Sequence, residues 1–147
     1  MTQGFVKSIT CPCGSPMRLI HTEIGTFYGC IRYPDCDHKI TAHKKTNEPM
    51  GTPAGPELRL LRRDCHVVFD RLWRGHSKHM SRDQAYQYLS GLMGVEDAHI
   101  ASFDTADCHT FIKRHKGVIA RARKRGLQTF AEAEVLIKLA TRIYKEE

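Results

Sequence analysis

The sequence predicts an α+β protein, with a small module of short antiparallel strands at its N-terminal end and a mainly α-helical remainder. Three observations carry this. Four of the six cysteines lie within residues 11–36 as two close pairs, Cys11 with Cys13 and Cys30 with Cys36, and sixteen residues separate the pairs. Residues 44–56, KKTNEPMGTPAGP, hold three prolines and two glycines, which excludes a long helix or a central strand there. From Pro56 onward, apolar residues recur at spacings of three and four, the period of an amphipathic helix.

The elements follow in order. Phe5, Val6 and Ile9 are candidates for an edge strand in the leader. Cys11-Pro12-Cys13-Gly14 is a first knuckle, in which Gly14 can take positive φ and aim amide groups at a thiolate. Residues 17–22 read as a strand, 23–26 as a turn, and Phe27-Tyr28-Gly29 as the returning strand. The second knuckle runs from Cys30 to Cys36, with Tyr33-Pro34 as an aromatic lid, and residues 38–43 add a third strand. Two thiol pairs presented by a hairpin make a tetrahedral zinc site, one structural ion held by Cys11, Cys13, Cys30 and Cys36. One residue separates Cys11 from Cys13, so His21, His38 and His43 stand as alternatives to Cys11.

The expected organisation is a ribbon over 1–44, a linker over 45–55, a helical domain over 56–112 and a basic helical segment over 113–147. Pro56 is a favoured first helical residue. Leu58, Leu61, Cys65, Val68, Phe69 and Leu72 form one stripe, and Gly75 ends that helix. Ser81-Arg82-Asp83-Gln84 is a capping box opening a second helix, which Gly94 terminates. Asp104 to Asp107 open a third, with Cys108, Phe111 and Ile112 inward. Gly117 is expected to break the following basic run in two. Thr129 to Glu132 form another capping box before a last amphipathic helix. Cys65 and Cys108 read as core residues rather than as a second metal site with His66 and His109.

Formal net charge is +7, unevenly spread. Residues 1–54 carry six Lys/Arg and four Asp/Glu, residues 55–112 seven and eight, and residues 113–147 ten and four. That asymmetry points to a polyanionic partner. Lys113, Arg114, Lys116, Arg121, Arg123, Lys124 and Arg125 fall in thirteen residues without an acid, enough to neutralise several phosphates. In the ribbon, Arg18 and Arg32, with Lys7 and Lys39, can meet phosphates. Tyr28, with Phe27 and Tyr33, can offer stacking surfaces, although Phe27 and Tyr33 read better as cover for the metal. No apolar run approaches the ~18 residues of a membrane span. The segment MTQGFVKSIT has no signal-peptide character, so a cytoplasmic setting with reduced thiols is expected.

The strings CPCGSPM and GTFYGCIRYPDC resemble the C-terminal zinc ribbons of bacterial type I DNA topoisomerases, over about thirty residues. Those ribbons read roughly C-P-x-C-G-x-P-M and then G-x-F-x-G-C-x-x-Y-P-x-C, so this chain departs from them by one residue in the first pair. The resemblance implies binding of single-stranded DNA or of a protein rather than catalysis. Residues 50–112, and with the ribbon residues 11–112, also resemble a family of mostly phage and prophage proteins described only as containing a zinc-finger domain. That likeness implies a ribbon-plus-helices architecture and transfers no activity.

No HExxH, GxxxxGK[ST] or GxSxG motif is present, and four thiolates on zinc leave no position for water. Asp35, Asp37 and Lys39 resemble a nuclease constellation only loosely, since they surround a zinc ligand. His76 and His79 read as exposed loop histidines. The sequence therefore predicts a non-enzymatic zinc-ribbon protein that binds nucleic acid, with single-stranded DNA preferred. The alternative is a protein-interaction module or phage inhibitor docking on a host enzyme or a nucleoprotein defence complex.

Overall fold

The structure, a computed structural model, describes residues 8–75, residues 80–124 and Ile137. It has an N-terminal three-stranded antiparallel sheet followed by three α-helices. The chain divides at Leu60/Leu61 into two compact units.

The first unit is built on β1 (Met17–His21), β2 (Thr26–Cys30) and β3 (Lys39–Thr41), in the order β1-β2-β3. Met17 pairs with Cys30 and His21 with Thr26, so the turn is Thr22–Gly25, closed by hydrogen bonds between those two residues. Strand alternation sends Met17, Leu19, Tyr28, Cys30 and Ile40 to one side, where they pack with Cys11, Cys36 and Ala42. The residues expected as a linker fold back on this sheet. Ala42 bridges to Pro49 and Lys39 to Ala54, and the Tyr28 hydroxyl donates to the Asn47 carbonyl at 2.6 Å. Asn47 sits at φ 61°, a left-handed conformation asparagine tolerates better than most residues. Proline and glycine excluded a regular element here without excluding single ladder bonds.

Helix α1 (Pro56–Trp73) starts at the proline, as its sequence predicts. In its first turn Arg59 donates to the carbonyls of Asp37 and Ala54 and to the Asp37 carboxylate at 3.0 Å, which ties residues 56–60 to the ribbon. The Arg59 guanidinium, joined by Lys39, holds the Asp37 carboxyl below its usual range.

The second unit has a hydrophobic core of its own. From α1 it takes Cys65, Phe69 and Leu72. From α2 (Arg82–Met93) it takes Ala85, Tyr88, Leu89 and Leu92, and from α3 (Thr105–Lys124) Cys108, Phe111, Val118 and Ala122. Helix α2 has the predicted capping box between Ser81 and Gln84 and ends on Gly94 at φ 70°. Helix α3 opens with a reciprocal cap, Asp104 and Asp107 each accepting the other's amide. It runs unbroken through Gly117, contrary to the sequence expectation. The neighbouring Val118 is fully buried, and packing of this kind outweighs the ~1 kcal/mol that a helical glycine costs. The capping box at Thr129 and the last amphipathic helix lie outside the described residues, as do Phe5, Val6, Lys7, His76 and His79.

One half-buried titratable group matters for this core. His115 stacks on Phe111, meets Tyr88 edge-on, and has Nδ1 2.8 Å from the Tyr88 hydroxyl. Burial holds its pKa down to about 4, below the ordinary value near 6.5. The unfolded chain therefore binds this proton more readily than the folded one. The contribution is complete above about pH 6.5 and is lost as pH falls toward 4, at up to ~1.4 kcal/mol per pH unit. Trp73, the only tryptophan, reports on this unit. Urea midpoints followed by its fluorescence should fall between pH 7 and pH 5, and the fall should shrink in His115→Gln.

Candidate metal centre

Each pair of cysteines is placed by a tight turn. In the first, the Gly14 amide donates to the Cys11 carbonyl and the Cys11 amide to the Ser15 carbonyl, both at 2.8 Å. Gly14 takes φ 95°, where an L side chain would be strained. This turn lets two cysteines only one residue apart face the same point. The second knuckle is a run of turns: the Tyr33 amide donates to the Cys30 carbonyl at 3.1 Å, and the Asp35 and Cys36 amides to the Arg32 carbonyl at 2.9 and 3.3 Å. The Ile31 amide donates to the Pro16 carbonyl at 3.2 Å, which brings the two knuckles together.

The four sulfurs converge. Cys11 Sγ lies 3.6 Å from Cys36 Sγ, Cys13 Sγ lies 3.6 Å from Cys30 Sγ, and all four fall within 4.8 Å of one another. Sulfurs placed ~2.3 Å from a common zinc ion at tetrahedral angles stand about 3.8 Å apart. The observed spacing thus fits one zinc ion, and Cys11 completes the set despite its short spacer. Among the described residues no other cluster of three or more such donors forms.

The electrostatics match this chemistry. Burial pushes the Cys11 thiol up to about 12 against the pull of the Cys13 amide, and burial also raises Cys30 against the Arg32 amide. Cys13, the exposed member, is drawn down to about 5, first by the Ser15 amide and then by the Ser15 hydroxyl. Each of these three sulfurs is met by the amide two residues further on. Buried thiolates of this kind need a counter-cation, and a coordinating divalent ion deprotonates its thiols outright.

The histidines considered as substitutes divide. His38 Nδ1 is 3.1 Å from Cys36 Sγ, at the edge of the site. His21 Nδ1 contacts Thr26 Oγ1 at 3.1 Å, and His43 is exposed. Cys65 and Cys108 lie in the helical core, with Cys65 Sγ 3.6 Å from the Cys108 carbonyl, while His66 and His109 are exposed. Burial raises both thiols, Cys65 to about 12. They are core residues.

Three aromatic assignments change. Tyr28 is 0% exposed and offers no stacking surface. It precedes Cys30 by two residues in a strand, so it shares the inward face with that ligand; the alternation was a signal that could have found this. Tyr33, expected to cover the metal, is 65% exposed. Phe27 lies on the outer sheet face, half-buried, with Lys39 Nζ 5.6 Å from its ring. Arg18 and Arg32 are exposed.

Of the basic cluster, Lys113, Lys116, Arg121, Arg123 and Lys124 are exposed on α3. Arg114 is half-buried and donates to the Leu92 carbonyl at 2.8 Å, which caps the end of α2 instead of facing solvent. Arg125 lies outside the described residues. No helix among the described residues is long and apolar enough to cross a membrane.

A family model described as a zinc-finger-containing domain matches residues 7–118, most of the chain and all four clustered cysteines. No curated protein and no solved structure matches the chain.

Freshly purified protein should carry about one zinc per chain by elemental analysis. Cys30→Ser or Cys36→Ser, which remove buried ligands, should bring that well below one, and exhaustive chelation should expose residues 8–42 to limited proteolysis.

Proposed function

The chain belongs to the zinc-finger-containing domain family, and we propose that it is a non-enzymatic, cytoplasmic zinc-ribbon protein that binds nucleic acid, with single-stranded DNA as its ligand. The observation that carries this reading is the solvent face of α3. Lys113, Lys116, Arg123 and Lys124 are exposed there and fall on one side of the helix, opposite Phe111, Val118 and Ala122, which are buried. Arg121 lies beside that face. Cations in such a row suit successive phosphates.

The ribbon adds a second kind of contact. Tyr33 is exposed beside Arg32, and the outer sheet face carries Phe27 with Arg18 and Lys39. An exposed ring next to a guanidinium suits an unpaired base and its phosphate. The likeness of the CPCGSPM and GTFYGCIRYPDC strings to topoisomerase ribbons favours a single strand over a duplex, and the likeness of residues 11–112 to phage proteins favours a phage-like setting. Four thiolates leave the metal no open coordination position, which supports a binding role over catalysis.

A second reading rests on the same knuckle. Ile31 and Tyr33 are both exposed there, with Pro34 next to them. Tyrosine and arginine side by side are the residue types that anchor protein interfaces, and this fits a module that docks on a host enzyme or nucleoprotein complex.

Fluorescence anisotropy with labelled oligonucleotides tests the choice. Single-stranded DNA should bind at low salt. The plot of log K against log salt should have a slope of about −3 if four phosphates are neutralised at ~0.7 each. Reversal of Lys113, Lys116, Arg123 and Lys124 to Glu should abolish binding, and Tyr33→Ala should weaken it by ~1–3 kcal/mol. If single- and double-stranded DNA and RNA all fail to bind at low salt, the nucleic-acid reading is wrong.

A further inference from the structure

His38 touches both ligands of the second cysteine pair. Its carbonyl accepts the Cys30 amide at 3.1 Å, and its Nδ1 lies 3.1 Å from Cys36 Sγ. Gly55 lies beside the ring's Cε1–Nε2 edge, where an added Cβ would stand 3.6 Å from both atoms. The imidazole lies against the sulfur on a short piece of chain between the second knuckle and β3. It is not needed as a ligand, because four sulfurs already complete a tetrahedron.

A divalent ion with four thiolates carries a net charge of about −2, and donors to the sulfurs offset that charge. The amides two residues beyond Cys11, Cys13 and Cys30 each favour the thiolate, although burial outweighs them at Cys11 and Cys30. For Cys36 the polar neighbour two residues on is the His38 side chain. We propose that His38 is an outer-sphere donor of the metal centre, its Nδ1–H hydrogen-bonding the Cys36 thiolate and so setting how tightly the ion is held. This makes His38 a positioning residue, and the assignment rests on the zinc reading of the four cysteines.

The test uses the full chain and two variants. His38→Asn keeps an N–H near the Nδ1 position, whereas His38→Leu keeps bulk without a donor. Zinc affinity is measured by competition with a chromophoric chelator, and cobalt(II) is substituted to read the thiolate-to-metal charge-transfer band. All three proteins should bind one ion. His38→Leu should hold zinc ~10–100-fold more weakly, and its charge-transfer band should move to lower energy, because a sulfur relieved of a donor gives up electron density more readily. His38→Asn should stay close to wild type in both. A general loss of packing would weaken binding without that band shift. Unchanged affinity and spectrum in His38→Leu would overturn the proposal, as would equal impairment of both variants. A change from tetrahedral cobalt absorption would make His38 a ligand instead, which also overturns it. Wild-type protein that binds no zinc or cobalt would remove the zinc reading itself.

Discussion

Four sulfurs meeting at one point are the constraint on which the first unit depends. Its sheet has strands of only three to five residues, too little for an independent apolar core. Of the seven buried residues clustered beneath it, Cys11, Cys30 and Cys36 are themselves ligands. Without a cation those thiols are a small hydrophobic patch with awkward polar edges. With one, the same atoms join two turns that are distant in sequence, and binding free energy becomes folding free energy.

The surrounding contacts make sense as supports for that point. Gly14 makes a one-residue spacer workable by turning back on Cys11. Tyr28 closes the inward side of the sheet and spends its hydroxyl on Asn47, which pulls the proline-rich segment down as cover. Arg59 does the same for the chain entering α1 through Asp37, the residue after the last of the four clustered cysteines. The second unit follows a different logic: three helices share a ring-rich core around Tyr88, Phe111 and His115, and local caps define both ends of α2 and the start of α3. Its outward surface on α3 is free to be cationic because the inward face already supplies the stability.

Much of this was legible in the residues. The two cysteine pairs, the Ser81–Gln84 box, Gly94 and Pro56 each carry local chemistry that tertiary context reinforces, so strand and helix positions came out within a residue or two. What the chain concealed was direction. Arg114 reads like its basic neighbours, yet its place on the helix aims it at the carbonyl end of α2. Tyr28 and Tyr33 look interchangeable as aromatics, but strand alternation buries the first and a loop exposes the second. Residues 45–55 have linker composition, and only the distant partners Lys39 and Ala42 show where they settle. Gly117 signals a break that buried neighbours override.

Hydrogen exchange on the full-length protein, with and without a strong chelator, tests most directly whether the metal centre holds the first unit together. The amides of Tyr28, Cys30 and Ile40 should lose their protection as zinc is withdrawn, while those of Leu89 and Phe111 keep theirs. Protection at Tyr28 and Cys30 that is the same in both conditions would contradict that role of the metal centre.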